Sequence, residues 1–512
     1  MSPATLKKIF GINHNHRRSA PCIGRQLNLE RLEDKLALAT LAVPSAMYPT
    51  ITAAEAAASM GDTIRVAPGN YQGEGVIVVD VPKLNIEGAQ RNFDPTEPGR
   101  TPGGASESTV TGFDLRADKI EIDGFTVNNT GGNGIATAGD HSGYDINDNI
   151  VSGNSLAGIL LRSNGQFLTR IEENWFTNAA PAPPPGPTLN IVMQPPAVGL
   201  GPNGWDIRNF GSDGPLSRVH IEENLFSEPT QFGAAVDLEG STQTPHQGIE
   251  IESNHFEKSN GIIFWNISDG LIQDNIMNYW SGNAGAPANG IGISIKGFLN
   301  NVKVEGNDLY AGVNSGDGIR VESTSGPASP AKPHIRIEDN EIAGNLTGPA
   351  GGFGIDAIHL INTHVGIFAR IHDNEIRHMG RHGINLEGRS GGTVSGVIVE
   401  ENDIGFVGGN GIHLETANGN TIRDNKSNDN VGSGIQVDNS DNNTVRKNTT
   451  RRNSFGIRVT SLSNDNTFNS NTSFDNTTLD YRDSSNGAGT AGTANTWTNN
   501  NGNTANPPGL IN

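Results

Sequence analysis

Apolar residues recur along the chain in short alternating runs that end on asparagine. The pattern apolar-x-apolar-x-x-Asn closes at Asn149, Asn174, Asn224, Asn254, Asn275, Asn307, Asn340, Asn374, Asn402, Asn425, Asn448 and Asn471. Between most of these lies a second motif, Gly-Ile-x-apolar, as at Gly158-Ile159, Gly261-Ile262, Gly318-Ile319, Gly383-Ile384, Gly411-Ile412, Gly434-Ile435 and Gly456-Ile457. From Asn402 onward the asparagines stand 23 residues apart. A period in the low twenties, split into alternating runs such as Val219-His220-Ile221-Glu222 and Ile319-Arg320-Val321-Glu322, is too short for a helical pair and suits one coil of a β-solenoid. The pattern therefore predicts an all-β solenoid of about 13 coils from near Ile64 to Trp497, roughly 60 Å long at about 4.8 Å per coil.

The recurring asparagine has a physical task at the corner between two strands. Equivalent residues of successive coils stack about 4.8 Å apart, so a column of inward-turned amides bonds to itself and to the corner backbone. Asparagine also tolerates the left-handed conformation that such corners need. With these motifs, residues 48 to 500 resemble the right-handed parallel β-helix proteins of the pectate-lyase-like superfamily. The entry segment, from Tyr48-Pro49-Thr50-Ile51 through Gly61-Asp62-Thr63-Ile64-Arg65-Val66 to Pro68-Gly69-Asn70-Tyr71, is similar to the start of those folds. The resemblance implies a short N-terminal capping helix, about Ala53 to Ser59, over the open end of the solenoid. It also implies closure of the far end by the polar stretch Asn495 to Asn512, in which Trp497 stands alone, with 501–512 as a tail.

Composition narrows the function. A formal charge of -20 argues against a nucleic-acid partner. The one cysteine, Cys22, excludes an internal disulfide and a cysteine-based zinc site. The longest near-apolar stretch, Leu36 to Val43, is too short to span a membrane. It follows the basic Lys7, Lys8, Arg17 and Arg18 and precedes Pro44-Ser45-Ala46, an order that fits an export leader over residues 1–47. The intervening Leu29-Glu30-Arg31-Leu32-Glu33-Asp34 resembles a sorting motif of exported bacterial repeat proteins. An extracellular or cell-surface monomer is the expectation.

Long connections, among them Ile191 to Asn224 with its proline-rich piece Pro181 to Pro187 nearby, all precede Asn402, so a site is expected in the middle coils. Alternation on the Gly-Ile strand predicts an outward file of Asp237, Ser294, Arg320, His359, Asn385, His413, Gln436 and Arg458. A second file, two residues on, holds Glu239, Lys296, Glu322, Glu387, Glu415 and Asp438. Five of the 13 histidines (His359, His364, His372, His378 and His382) fall close together, with Arg370, Arg377, Arg381 and Arg389 among or beside them. In so acidic a chain this local reversal of sign suits an anionic polysaccharide.

Elimination from a uronate, or its epimerisation, needs a group to neutralise the carboxylate, a base for the C5 proton and an acid. The expected catalytic set is His382 as base, Arg381 as neutraliser, and His359 and His413 one coil away on either side. Arg320, Asn385, Glu387 and Glu415 are the expected substrate-binding groups. His372 and Arg370 belong to the strand before the corner and to another face. Gly354-Ile355-Asp356-Ala357-Ile358-His359 is similar to the Asp-Pro-His motif of mannuronan epimerases but lacks the proline. The paired aspartates and Arg-x-Lys of polygalacturonases are absent. No acid cluster stands out as a metal site, which leaves Ca²⁺ open. The leading expectation is an exported β-helix that binds an acidic polysaccharide and cleaves it by β-elimination or epimerises it. The alternatives are a non-catalytic adhesion solenoid and a hydrolase using two of Asp237, Glu239, Glu387 and Glu415.

Overall fold

The computed structural model describes residues 38–96, 99–177, 205–209, 211–227, 234–257, 261–280, 290–312, 315–325, 333–344, 356–362 and 368–511. The leader motifs up to Lys35, Cys22, the proline-rich piece 181–187, Ile191, Gly354, Ile355 and His364 lie outside the described residues. The chain divides into two units, Met1–Leu38 and Ala39–Asn512, of which the second is the solenoid.

Strands pair in parallel with the strand three places on, in a 32-stranded sheet covering two faces and a 16-stranded sheet forming the third. Their inward positions are isoleucine, valine, leucine and phenylalanine, so one continuous core runs from Leu41 to Leu510. Identical side chains stack there: Phe176 on Phe226 at 4.9 Å and Phe226 on Phe256 at 4.6 Å between ring centres. Among the described residues no helix is long and apolar enough to cross a membrane.

The asparagine ladder runs from Asn149 to Asn500. Asn425 is typical: its Nδ2 donates to the Asn448 Oδ1 (3.0 Å), the Val399 carbonyl (2.9 Å) and the Arg423 carbonyl (3.0 Å), while its backbone N–H also reaches the Asn448 Oδ1 (3.0 Å). The left-handed residue is not the ladder asparagine, as the sequence suggested, but the one before it, from Asp148 (φ 55°) through Asp424 (φ 59°) to Asn499 (φ 52°). Turning at that residue frees the asparagine to aim its amide inward.

With 16 strands in the third sheet, the solenoid exceeds the expected 13 coils and extends through about 15 steps of ~4.8 Å. Three N-terminal coils escape the motif because Gly69, Ser108 and Phe125 occupy the ladder register. Both expected boundaries also move outward. Thr40–Val43 pairs with Thr63–Val66 inside the segment assigned to the leader, and Ala505 and Asn506 pair with Tyr481 and Arg482 inside the segment assigned to the tail. The capping helix is Ile51–Glu55, earlier and shorter than 53–59, because the Thr50 hydroxyl caps it by accepting the Ala53 N–H at 3.1 Å. At the other end Trp497 stacks on Phe468 at 4.0 Å and donates to Asp483 at 2.9 Å.

Candidate functional site

The register aligns the outward file directly: Ser294 with Arg320, Arg320 with His359, His359 with Asn385, Asn385 with His413, and His413 with Gln436. Two members were missed, Ile263 between Asp237 and Ser294, and in the second file Trp265 between Glu239 and Lys296. A solvated face was expected, but Asp237, Ser294, His359, Asn385 and His413 are buried, with His359 and Asn385 only 1% exposed. Burying charged and polar groups on an outer face is costly unless each is bonded. Here the bonds form one network.

Two residues absent from the expected set, Asp317 and Asp356, organise it. Both precede the Gly-Ile strand by two positions, and their backbones stack: the Gly318 N–H donates to the Asp356 carbonyl at 2.9 Å and the Ala357 N–H to the His382 carbonyl at 3.1 Å. Asp317, His382 and Asn410 share that position, so reading the residue two before each strand isoleucine as a third file would have found them. Asp317 accepts from His359 Nδ1 (2.9 Å) and Arg320 Nε (2.6 Å). Glu387 takes His359 Nε2 (2.8 Å) and both arms of the Arg389 fork (2.5 and 2.8 Å). Asp356 accepts Arg381 Nε (2.8 Å), a second Arg381 nitrogen, the His382 N–H (3.0 Å) and Asn385 Nδ2 (3.0 Å).

These contacts revise three expected roles. His359 has both ring nitrogens on carboxylates. Burial alone would push it down, but the bonds to Asp317 and Glu387 prevail and hold it protonated above its ordinary value, so it is a buried cation and has no lone pair to act as a base. Burial would raise Glu387, yet His359 and Arg389 hold it well below the usual carboxylate range. Arg381 directs its fork at Asp356 instead of presenting it to a substrate carboxylate. Glu415 is exposed, in register with Glu387, and is raised by partial burial and by Glu387 and Asp438.

The third revision concerns His382. Its Nδ1 accepts the Asn410 N–H at 3.0 Å, so in the neutral ring the proton sits on Nε2, which is then a donor. His413 has the opposite tautomer. The Asp356 carboxylate only accepts, which turns the Asn385 Nδ2 toward it and the Asn385 Oδ1 toward His413 Nδ1 at 3.1 Å. Nδ1 must carry the proton, and Nε2 keeps its lone pair. The two rings lie 4.6 Å apart at 32°. Burial first, then Arg381 for His382 and His382 for His413, pushes each down to about 4, so both are neutral at neutral pH.

Asp317, Asp356 and His359 bring ligand-type atoms within 4.8 Å of one another. Each already faces a cation or a proton: Arg320 and His359 on Asp317, and Arg381 on Asp356. The charges of this cluster are met by its own basic groups, and a metal ion would have to displace them. As expected, Arg370 and His372 lie elsewhere, on Ala369–His372, paired with Glu400 and Glu338. His378 stacks on Phe406 at 5.2 Å, apart from the cluster.

Residues 333–509 match the family model described as right handed beta helix region. The solenoid of residues 39–511 is a right-handed parallel β-helix. No curated protein matches the sequence. Among solved structures, the β-helix resembles the A-module of the Azotobacter vinelandii mannuronan C-5 epimerase AlgE6, at 12% identity over 88% of this chain and 92% of that one, TM-score 0.34. It resembles the alginate lyase AlyGC at 11% identity over 91% and 97%, TM-score 0.35. It also resembles PfbA, a surface adhesin of Streptococcus pneumoniae, at 11% identity over 84% and 86%, TM-score 0.34. At these values the likeness is one of stacked-coil fold and carries no argument about activity.

Proposed function

We propose that this β-helix is an exported protein that binds an acidic polysaccharide along its outward files and cleaves it by β-elimination or epimerises it at His382 and His413. The observation that carries the reading is the contact of two neutral imidazoles with opposite tautomers on a rigid double file. His413 Nε2 offers a lone pair, and His382 Nε2–H offers a proton at ring-contact distance. In elimination, the C5–H bond breaks and its proton passes to His413 Nε2. The electron pair forms the C4=C5 bond, and the departing O4 takes the proton of His382 Nε2. In epimerisation, His413 Nε2 takes the C5 proton and the returning proton comes from solvent on the opposite face of C5, because the two rings in contact lie on one side of the sugar. Arg381, half-exposed beside His382, still has one guanidinium nitrogen that is not directed at Asp356, and this nitrogen meets the substrate carboxylate. The exported setting rests on the basic Lys7, Lys8, Arg17 and Arg18 and on the Leu29–Asp34 string, since the apolar run after them enters the first strand of the solenoid at Thr40.

One observation favours a non-catalytic adhesion surface instead. The forks of Arg320, Arg381 and Arg389 are all directed at Asp317, Asp356 and Glu387. The full chain is incubated with a panel of uronate polysaccharides in deuterated water and read three ways. Ultraviolet absorbance reports unsaturated uronate, deuterium at C5 reports epimerisation, and a reducing-sugar assay reports hydrolysis. Unsaturated product or C5 deuterium, lost in His413→Ala, supports the proposal. Silence in the first two readouts, or unchanged turnover in that variant, rejects it.

A further inference from the structure

The second outward file carries a tryptophan, Trp265, in register between Glu239 and Lys296. Its side chain is not part of the core: the residue is 38% exposed, so burial does not account for it. The backbone around it is specialised. Asn266, the next residue, is left-handed at φ 56° and only 6% exposed. Its Oδ1 accepts the Phe298 N–H at 2.9 Å and its Nδ2 donates to the Gly240 carbonyl at 2.6 Å, while the Gly240 N–H donates to the Trp265 carbonyl at 2.8 Å. The register slips here in two successive coils, between Trp265 and Ile267 and between Gly297 and Phe298. Bulges of this kind re-aim a side chain.

Gly297 shows where the indole is seated. It is left-handed at φ 77°, and a Cβ on it would stand 2.8 Å from Trp265 Cδ1 and 2.9 Å from Trp265 Nε1. One edge of the ring therefore lies against bare backbone, which a larger residue would deny it. Lys296 Nζ stands over the ring, 5.9 Å from its centre and at the outer limit of a cation–π contact, ~6 Å. Among the described residues Lys296 makes no ion pair within 4.0 Å. The arginines of the imidazole site differ, since Arg320, Arg381 and Arg389 are each held by an acid. An incoming anion does not have to draw Lys296 away from a protein carboxylate.

We infer that Trp265 is a sugar-stacking subsite at a distance from the imidazole pair, with Lys296 meeting the carboxylate of a uronate beside it. This rests on the reading of the outward files as the polysaccharide surface. In the first file Ile263, on the coil of Trp265, leads in register through Ser294, Arg320 and His359 to Asn385 and His413, four and five coils away. At ~4.8 Å per coil that is ~19 to 24 Å. One sugar of an extended chain covers about one coil, so the indole lies about four to five sugars from His382 and His413. The C–H face of a sugar ring is apolar and carries weak positive charge, and it seats on the negative face of an aromatic ring. The hydroxyls at its rim then meet Glu239 and Glu322, which stand in register on either side of Trp265 and Lys296. An aromatic face and an uncommitted cation side by side suit an acidic sugar better than a bare anion, for which the charge alone would serve.

The test is calorimetric titration of the full chain carrying His413→Ala, which leaves the glycan intact, with octamers of mannuronate, guluronate and galacturonate. Adding Trp265→Ala should weaken octamer binding about tenfold with the circular dichroism spectrum unchanged, and Trp265→Phe should restore most of it. Lys296→Gln should weaken it about two- to fivefold and should not affect octamers whose carboxyl groups have been reduced. That variant keeps the test open if Trp265→Ala folds poorly. With His413 in place, Trp265→Ala should raise the KM for octamers about tenfold with kcat within about twofold. The kcat/KM for trimers, too short to span from the imidazoles to the indole, should stay the same. Octamer affinity unchanged in both Trp265→Ala and Lys296→Gln overturns the inference, as does a kcat that falls alike for trimers and octamers. Turnover that ignores Trp265 leaves the catalytic reading standing without this subsite. Octamer binding that depends on Trp265, in a wild type that forms no product, supports the subsite and rejects the catalytic reading. No octamer binding at all overturns both.

Discussion

The last coils, from Asn420 to Asn500, and the middle coils, from Asp317 to Glu415, share a core and a corner ladder but treat repetition in opposite ways. In the last coils identical residues stack on three corners. The main ladder is joined by Asn420, Asn443, Asn466 and Asn495, and by Asn430, Asn453 and Asn476. A carboxamide can repeat indefinitely because it carries donor and acceptor together, so each copy satisfies the next. Carboxylates and guanidinium groups cannot. In the middle coils, Asp317, Asp356, Glu387, Arg320, Arg381, Arg389 and His359 find partners only by alternating between coils and files. The lesson is that this solenoid holds side chains in inequivalent protonation states only where coil-to-coil identity is given up, since only unlike neighbours create inequivalent protons.

The sharpest way to break this comparison is to remove the inequivalence. His413→Ala should lower turnover about 10²- to 10⁴-fold with the circular dichroism spectrum unchanged. Asp356→Asn, which touches neither Nε2, should come close to the same loss. An amide there no longer obliges Asn385 to present its oxygen to His413, so the His413 proton is free to move to Nε2. Nitrogen NMR of the imidazoles reads that tautomer directly. An Asp356→Asn variant with unchanged turnover, or with Nδ1 of His413 still protonated, would sink the chain of inference from Asp356 to the base.

A smaller effect of the opposite kind is expected in the last coils. Asn448→Ala deletes three side-chain hydrogen bonds donated by its Nδ2 and leaves the N–H and amide of Asn425 without their acceptor. The cost should be about 2 to 4 kcal/mol in stability, seen as a lower Tm, with turnover below the transition retained. Lost turnover at full folding would mean that the regular coils take part in the chemistry.

Sequence alone revealed most of the coils, the ladder and all of the outward files but Ile263 and Trp265, because these depend on period and alternation, which the chain displays directly. It missed the Gly69, Ser108 and Phe125 coils, where the ladder position is filled without asparagine. It misplaced the left-handed residue, since an αL position occupied by Asp, Glu, Ser or Lys has no compositional signature. It located His382, His413 and Asn385 but named as base the imidazole whose Nδ1 accepts a backbone N–H and whose ring proton is therefore on Nε2. A tautomer is set by what the other nitrogen touches, here the Asn410 N–H and, through Asn385, Asp356. Those partners are 25 to 29 residues apart in sequence, behind connections of unequal length. Asp317 and Asp356 escaped for the same reason.

The last prediction is a local dependence on pH that separates the two regions. His382 and His413 fall to about 4 in the folded protein from an unfolded value near 6.5. Between those values the unfolded chain binds more protons than the folded one, so stability rises with pH there and is lost on acidification. His359 has the opposite sign. Raised by Asp317 and Glu387, it stabilises fully below 6.5 and fades only as pH climbs through its elevated value, so it does not offset the loss at pH 5. The depressed Asp317 and Glu387 begin to matter only below the ordinary carboxylate range. The two low imidazoles therefore set the response, on the order of 2 kcal/mol each by pH 5. Residues 420–511 contain no histidine and have no such term. Hydrogen exchange, corrected for intrinsic rates and compared at pH 7 and pH 5, should show Ile384–Glu387 and Ile412–Glu415 losing protection while Thr444–Arg446 and Thr467–Asn469 keep theirs. Equal loss in both regions would mean that the imidazoles are not held neutral by their surroundings, and the acid–base assignment would fall with that result.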